Sequence, residues 1–154
     1  MSSVILIYRL GNFFYRNNFK FIGYLISLII RFVFSCWLPS SARIGKNFKL
    51  GYGGLGVVIH NNSVIGDNCL IGQNVTIGRN FGDKSVPIIG NDVYVGAGSV
   101  VFGEIKIGNN VIIGSNSVIN KDIPSNSTVV GNPFRFVQNA RTIRYYEFDS
   151  HNKL

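Results

Sequence analysis

No aspartate or glutamate occurs before Asp67, and charged residues of either sign make up only 14% of the chain. That is little for an ordinary water-exposed surface, and it asks for extra burial in an oligomer or against a membrane. Cysteine and histidine are scarce too, with two of each. Two cysteines exclude a disulfide framework, and Cys36 and Cys69 read as core thiols of a reducing, cytoplasmic compartment. No zinc-ligand spacing occurs, so no metal is expected. The opening Met1-Ser2-Ser3 lacks a basic run before an apolar stretch and a later small-residue cleavage site, so secretion is not expected. A length of 154 residues suits one domain with a real core.

What charge there is lies unevenly. Arg9, Arg16, Lys20, Arg31, Arg43, Lys46 and Lys49 all fall in the acid-free stretch 1–66, within a net charge of +8. That half is drawn to anionic partners such as phospholipid or phosphorylated small molecules. Nucleic acid would answer to the same charge, but no nucleic-acid motif accompanies it.

Residues 2–17 and 19–38 read as helices, with Gly11 inside the first and Pro39 stopping the second. The second, FKFIGYLISLIIRFVFSCWL, is apolar on nearly every face. Three placements suit it: against neighbouring subunits, on a membrane surface, or across the bilayer. A span needs about 20 apolar residues, and a central arginine costs it roughly 3 kcal/mol. Arg16, Lys20 and Arg43 at its flanks suit an anionic surface.

The strongest signal is a period of six. Positions 59, 65, 71, 77, 89, 95, 101, 107, 113 and 119 are all Ile or Val, and only Asp83 breaks the row. Glycine follows at 66, 72, 78, 90, 96, 108 and 114. Each hexad supplies a short strand and a turn, and three hexads close a triangular coil. Coils then stack at about 4.8 Å, the distance of strand pairing. The aliphatic points inward, while Gly and Asn relieve turns that need positive φ. Helical and alternating-strand periods do not fit, so the chain is expected to be an all-β solenoid with a helical front end. Three stretches follow: an apolar, basic helical segment 1–41, the β-helix 42–137, and a polar, frayed tail 138–154. GYGGLG at 51–56 shifts the phase by three residues, and RNFGDKSVP at 79–87 reads as a loop thrown out of a coil.

His60 is the one histidine inside the repeat, at a position otherwise filled mostly by glycine; His151 lies in the tail. An imidazole titrates near neutrality, at about pH 6.5, and suits a general base; a turn histidine bonded to nearby backbone is the bland reading. Counting three hexads per coil puts His60 in one column with Gly78, Gly96 and Gly114. Gly114 would then lie about 14 Å along the axis from His60. A bare glycine column capped by an imidazole would let a long, thin arm lie against backbone and deliver its end to the ring. Glycine also simply suits the turn, since Gly66, Gly72, Gly90 and Gly108 lie in other columns.

The run GLGVVIHNNSVIGDNCLIGQNVTIG, the break before VPIIGNDVYVGAGSVV, and the ending INKDIPSNSTVVGNPFR resemble the serine acetyltransferase-like branch of the hexapeptide-repeat acyltransferases. Many members of that branch are assigned to modifying bacterial surface polysaccharides. The resemblance implies a left-handed parallel β-helix, a homotrimer, and acetyl-CoA as co-substrate lying between adjacent helices. It implies His60 as the base. It carries contacts to CoA onto Gly78, Ala97, Gly98, Ser115 and Pro133, with Lys121 and Arg135 as partners for its phosphates. A solvated turn charge is the other reading of those two cations.

The resemblance is incomplete. Serine acetyltransferases of cysteine biosynthesis carry histidines in a DHATG-like turn and a GDRHP-like loop. Here those stretches are GYGGLG and GDKSVP, and the long amino-terminal helical domain of those enzymes is not expected. The expectation is therefore O-acetylation of a sugar hydroxyl in a surface polysaccharide or its precursor. Serine O-acetylation, N-acylation of an amino sugar and a non-catalytic scaffold are the alternatives. Acceptor contacts are expected from Tyr52, Gln73, Asn80, Asp83 and Lys84. A zinc site like that of γ-carbonic anhydrases would need three histidines at an interface, more than this repeat supplies.

Overall fold

A computed structural model describes residues 2–138 and 140–147. His151 and the end of the tail lie outside the described residues. Two helices, α1 (Ser3–Arg16) and α2 (Lys20–Phe34), precede four coils of paired short strands. The first coil holds β1 (Arg43–Ile44), β2 (Lys49–Leu50) and β3 (Val58–Ile59). The second holds β4 (Val64–Ile65), β5 (Leu70–Ile71) and β6 (Thr76–Gly78). The third holds β7 (Ile88–Ile89), β8 (Tyr94–Val95) and β9 (Val100–Phe102). The fourth holds β10 (Lys106–Ile107), β11 (Ile112–Ile113) and β12 (Val118–Ile119). β13 (Thr128–Val130) and β14 (Arg135–Gln138) close the stack as an antiparallel pair.

The strands stack into three faces, as a period of six with three hexads per coil requires. The first face is β1-β4-β7-β10, the second β2-β5-β8-β11-β13-β14, the third β3-β6-β9-β12. Every pair but the last is parallel. The aliphatic row points inward: Ile59, Ile71, Ile77, Val95, Val101, Ile113 and Ile119 are fully buried. Each such side chain contributes about 1.5–3 kcal/mol of apolar burial. Polar ladders tie the coils at the corner between the first and second faces. Asp67 Oδ1 accepts the Lys46 amide at 2.6 Å, Asn91 Oδ1 the Asp67 amide and Asn109 Oδ1 the Asn91 amide, both at 2.8 Å. Asn47, Asn68, Asp92, Asn110 and Asn126 adopt the left-handed conformation there, which a short polar side chain tolerates.

The helices form a hairpin that crosses at two glycines. A Cβ on Gly11 would fall 2.8 Å from Ile26 Cγ2, and one on Gly23 2.9 Å from Tyr15 Cβ. Tyr8 donates its hydroxyl to the Ala42 carbonyl at 2.7 Å, and Arg9 donates to the carbonyls of Ile44 and Gly45. These bonds seat the hairpin on the first coil.

Three features depart from the expectations. α2 ends at Phe34, where Ser35 turns left-handed at φ 50°, not at Pro39. The chain is then free to pair Trp37 with Val58, so coiling takes in residue 37 instead of starting near 42. The tail is not frayed over its described length. Arg141 is buried, its amide donates to Asn126 O at 2.7 Å, and Tyr145 donates its hydroxyl to Asn68 O at 2.7 Å. Among the described residues no helix is long and apolar enough to cross a membrane.

Candidate active site

His60 follows β3 at the corner between the third and first faces. Its amide donates to the Ile77 carbonyl at 2.9 Å, which sets it beside Gly78 on the next coil. The ring is half-buried, and its Nδ1 accepts the Asn62 amide at 3.2 Å. An accepting Nδ1 places the proton of the neutral ring on Nε2. The outer nitrogen is then a hydrogen-bond donor in this arrangement, and base action through it requires the Asn62 contact to open. Active-site bonds of this kind tighten or change when substrate enters.

A groove of about 270 Å³ opens at the ring, lined by Trp37, Val58, His60, Asn61, Thr76 and Gly78. Gly78 leaves it open: the nearest atom to a Cβ built there is Thr76 Cγ2 at 3.9 Å. Asn61 is shared with a larger, polar cavity of about 510 Å³ that takes in Asn12, Tyr15, Arg16, Ser41 and Arg43. Among the described residues no carboxylate lines either space. Arg16 and Arg43 bring two guanidiniums to the larger cavity.

The glycine column expected above His60 is not formed. β6 ends at Gly78 and β7 begins at Ile88, so residues 79–87 leave the coil and an extra hexad's length is spent outside it. Because that excess is a whole hexad, the aliphatic phase survives while the corner count slips by one. Gly78 therefore pairs with Phe102, not Gly96. The column runs His60, Gly78, Phe102, Asn120, with Lys121 next in the chain. Gly96 and Gly114 stack with Gly72 at the corner between the second and third faces: a Cβ on Gly96 would fall 2.8 Å from Gly114 C.

The expected residues consequently divide between two corners that flank the third face. His60, Gly78, Asn80, Asp83, Lys84 and Lys121 share one. Tyr52, Gln73, Ala97, Gly98, Ser115 and Pro133 share the other, where the Gly98 amide donates to Gln73 O at 2.9 Å. Arg135 stands apart on the antiparallel β14. Asp83 accepts the Glu104 amide at 3.1 Å, which ties the loop to the third coil, while Lys84 is exposed. Tyr52 is 84% exposed and left-handed at φ 47°. Sequence reasoning missed Trp37, Asn61 and Thr76. Trp37 carries the Arg31 guanidinium 5.5 Å from its ring centre. The one available signal was that this is the chain's single tryptophan, just upstream of the repeat.

Residues 87–121 match the family model "Bacterial transferase hexapeptide (six repeats)", and residues 63–86 match "Hexapeptide repeat of succinyl-transferase". The serine acetyltransferase of Helicobacter pylori (strain ATCC 700392 / 26695) is 37% identical over 139 residues, covering 89% of this chain and 81% of the relative. The solved serine acetyltransferase of Brucella abortus strain S19 superposes with a TM-score of 0.84 at 29% identity, over 91% of this chain and 57% of that one. Its complex with coenzyme A gives 0.83 at 29% identity, over 88% of this chain and 55% of that one. The chain thus spans a little over half the length of the solved structures it resembles.

Proposed function

The chain belongs to the serine acetyltransferase family of hexapeptide-repeat transferases, and from that membership we propose that it moves an acetyl group from acetyl-CoA to a hydroxyl, with serine as the first acceptor to test. The observation that carries this is a match at 37% identity over 89% of the chain and 81% of the relative, more than the coils alone occupy. The relatives named above are serine acetyltransferases, not polysaccharide-modifying enzymes, so serine takes precedence over the sugar hydroxyl expected from the motifs.

His60 is the proposed base. It takes the acceptor's proton as the hydroxyl oxygen bonds the thioester carbonyl carbon, and the proton then passes to the departing CoA sulfur. Gly78 keeps the approach to the ring clear. Lys121, three coils from His60 along the same corner, sits about 14 Å away along the axis at about 4.8 Å per coil. That is near the length of an extended pantetheine arm, and the lysine is placed to meet phosphate at its far end.

The backbone turns at Ala97, Gly98 and Ser115 lie on the other corner. A homotrimer would bring that corner of one copy toward the His60 corner of the next, which unites the two halves of the expected CoA site. Arg135, on β14 beyond the last coil, is proposed with Lys121 for phosphate.

A sugar hydroxyl is the second reading. It is favoured by the open groove at His60 and by the absence of a histidine from GYGGLG and GDKSVP, where Tyr52 and Lys84 stand exposed. Acetyl-CoA turnover against serine, sugars and nucleotide sugars, with wild type beside His60→Ala, tests both readings. A clear preference for serine supports the first; turnover of sugars alone replaces it with the second. A wild type that neither binds nor uses acetyl-CoA removes both.

A further inference from the structure

The hairpin buries only one side of each helix. In α1, Val4, Ile5, Tyr8 and Gly11 face the core, while Leu6, Leu10 and Phe13 lie on the opposite side and are each more than half exposed. In α2, Gly23, Ile26, Ser27 and Ile30 face the core, while Phe21, Leu25, Ile29 and Phe32 face out. These last four recur at i, i+4, i+8 and i+11, one stripe of an α-helix at 3.6 residues per turn. Phe21 is 73% exposed and Phe32 78%. Large apolar side chains on two adjoining helices form a patch of the kind that marks an interaction site rather than ordinary surface.

The charge around this patch has one sign. Arg16, Lys20 and Arg31 are exposed on the same two helices, and no carboxylate precedes Asp67. The hairpin carries no acid, and among the described residues the ion pairs of Arg144 with Asp92 and Glu147 lie away from it, so these three cations are not held in salt bridges of the hairpin. Two copies meeting through this face would bring cation to cation with no acid to offset them. An anionic lipid surface offers both complements at once, an apolar layer for the phenylalanines and leucines and phosphates for the cations. With 15 residues, α2 lies along such a surface and does not cross it.

We propose that the outward face of the α1–α2 hairpin docks the protein on an anionic phospholipid membrane, with the helices lying in the plane of the interface. This reading is independent of the acceptor and of His60.

The test is flotation of the full-length protein with vesicles of phosphatidylcholine alone and of phosphatidylcholine with about a third phosphatidylglycerol, at low and high salt. Docking predicts recovery with the anionic vesicles, reduced by salt because exposed charges are screened. Arg16→Gln with Lys20→Gln is expected to lower the partition coefficient roughly thirtyfold, the equivalent of two surface cations. Phe21→Ser with Phe32→Ser is expected to abolish recovery. Both pairs are exposed, so the far-ultraviolet circular dichroism and melting temperature stay unchanged. Recovery that ignores lipid charge overturns the proposal. So does absence from both vesicle types. A protein that stays in the aqueous layer, and whose mass by sedimentation equilibrium falls in the Phe21→Ser/Phe32→Ser variant, assigns the face to a second copy of the chain and equally overturns it.

Discussion

Gly78 stands beside His60 on the neighbouring parallel strand, and a side chain there would meet nothing nearer than Thr76 Cγ2 at 3.9 Å. The two residues line the same groove, and the space beside Gly78 is open.

Replacing His60 by alanine or glutamine removes the proposed base without disturbing the core, since the ring is half-buried on a corner. The turnover number is expected to fall by about a hundredfold to ten-thousandfold, the usual worth of positioned acid–base catalysis, with acetyl-CoA affinity little changed. Steady-state kinetics alongside calorimetric CoA binding separates the two effects. Full activity in either variant would end the assignment.

Gly78→Val and Gly96→Val form a contrasting pair. At 78 the valine enters the groove and not the backbone, so the melting temperature should hold while KM for acetyl-CoA or acceptor rises by on the order of tenfold to a hundredfold. At 96 the Cβ would lie 2.5 Å from the Ser115 amide nitrogen and must displace the next coil. That overpacking is expected to cost about 1–3 kcal/mol or more, read as a lowered melting temperature. Equal melting losses in both would mean that position 78 is packed after all.

Burial pushes the Cys36 thiol up to about 12 and the Cys69 thiol to about 11, from an ordinary value of 9.0. Below pH 9 both folded and unfolded chains keep these protons, and this contribution to stability is whole. Above it the unfolded chain releases protons that the folded one retains, so stability falls as pH rises toward 11–12. Tyr8, raised from 10.0 to about 12 mainly by burial, acts with the same sign. Denaturant melts between pH 8 and 11 should show the decline, and Cys36→Ala/Cys69→Ala should flatten it. A disulfide-exchange reagent at pH 8 should label neither cysteine until the protein is unfolded.

Tyr145 carries the docked tail. Its hydroxyl donates to Asn68 O at 2.7 Å and its ring packs 5.7 Å from that of Tyr94. Tyr145→Ala is expected to cost about 1–3 kcal/mol, or several degrees of melting temperature. Tyr145→Phe should recover most of the ring's share. A melting temperature unmoved by Tyr145→Ala would show that the tail adds no stability.

Much of this architecture was legible in the residues because a solenoid is quasi-one-dimensional. Ile59 packs on its equivalents one coil away, so a strict period in the chain is a strict stack in space. The hairpin was legible as two helices, though not its crossing, which depends on Gly11 and Gly23 meeting across 12 positions. The columns were not legible. A loop of whole-hexad excess leaves every aliphatic in phase, so nothing in the spacing reveals that Phe102 has replaced Gly96 above Gly78. The tail misled for a similar reason. RTIRYYE reads as polar, yet Arg144 and Tyr146 meet Asp92, and Tyr145 meets Asn68, on coils more than 50 positions upstream.

By itself the sequence determined the repeat, the inward aliphatic row, the acid-free front and the single imidazole within the coils, because each is written in local spacing or composition. Only the tertiary structure decided which turns share a corner, which nitrogen of His60 faces its own turn, and which side of the hairpin is left uncovered. Those depend on how many residues each coil encloses and on what packs against what. Six-residue periodicity is blind to both.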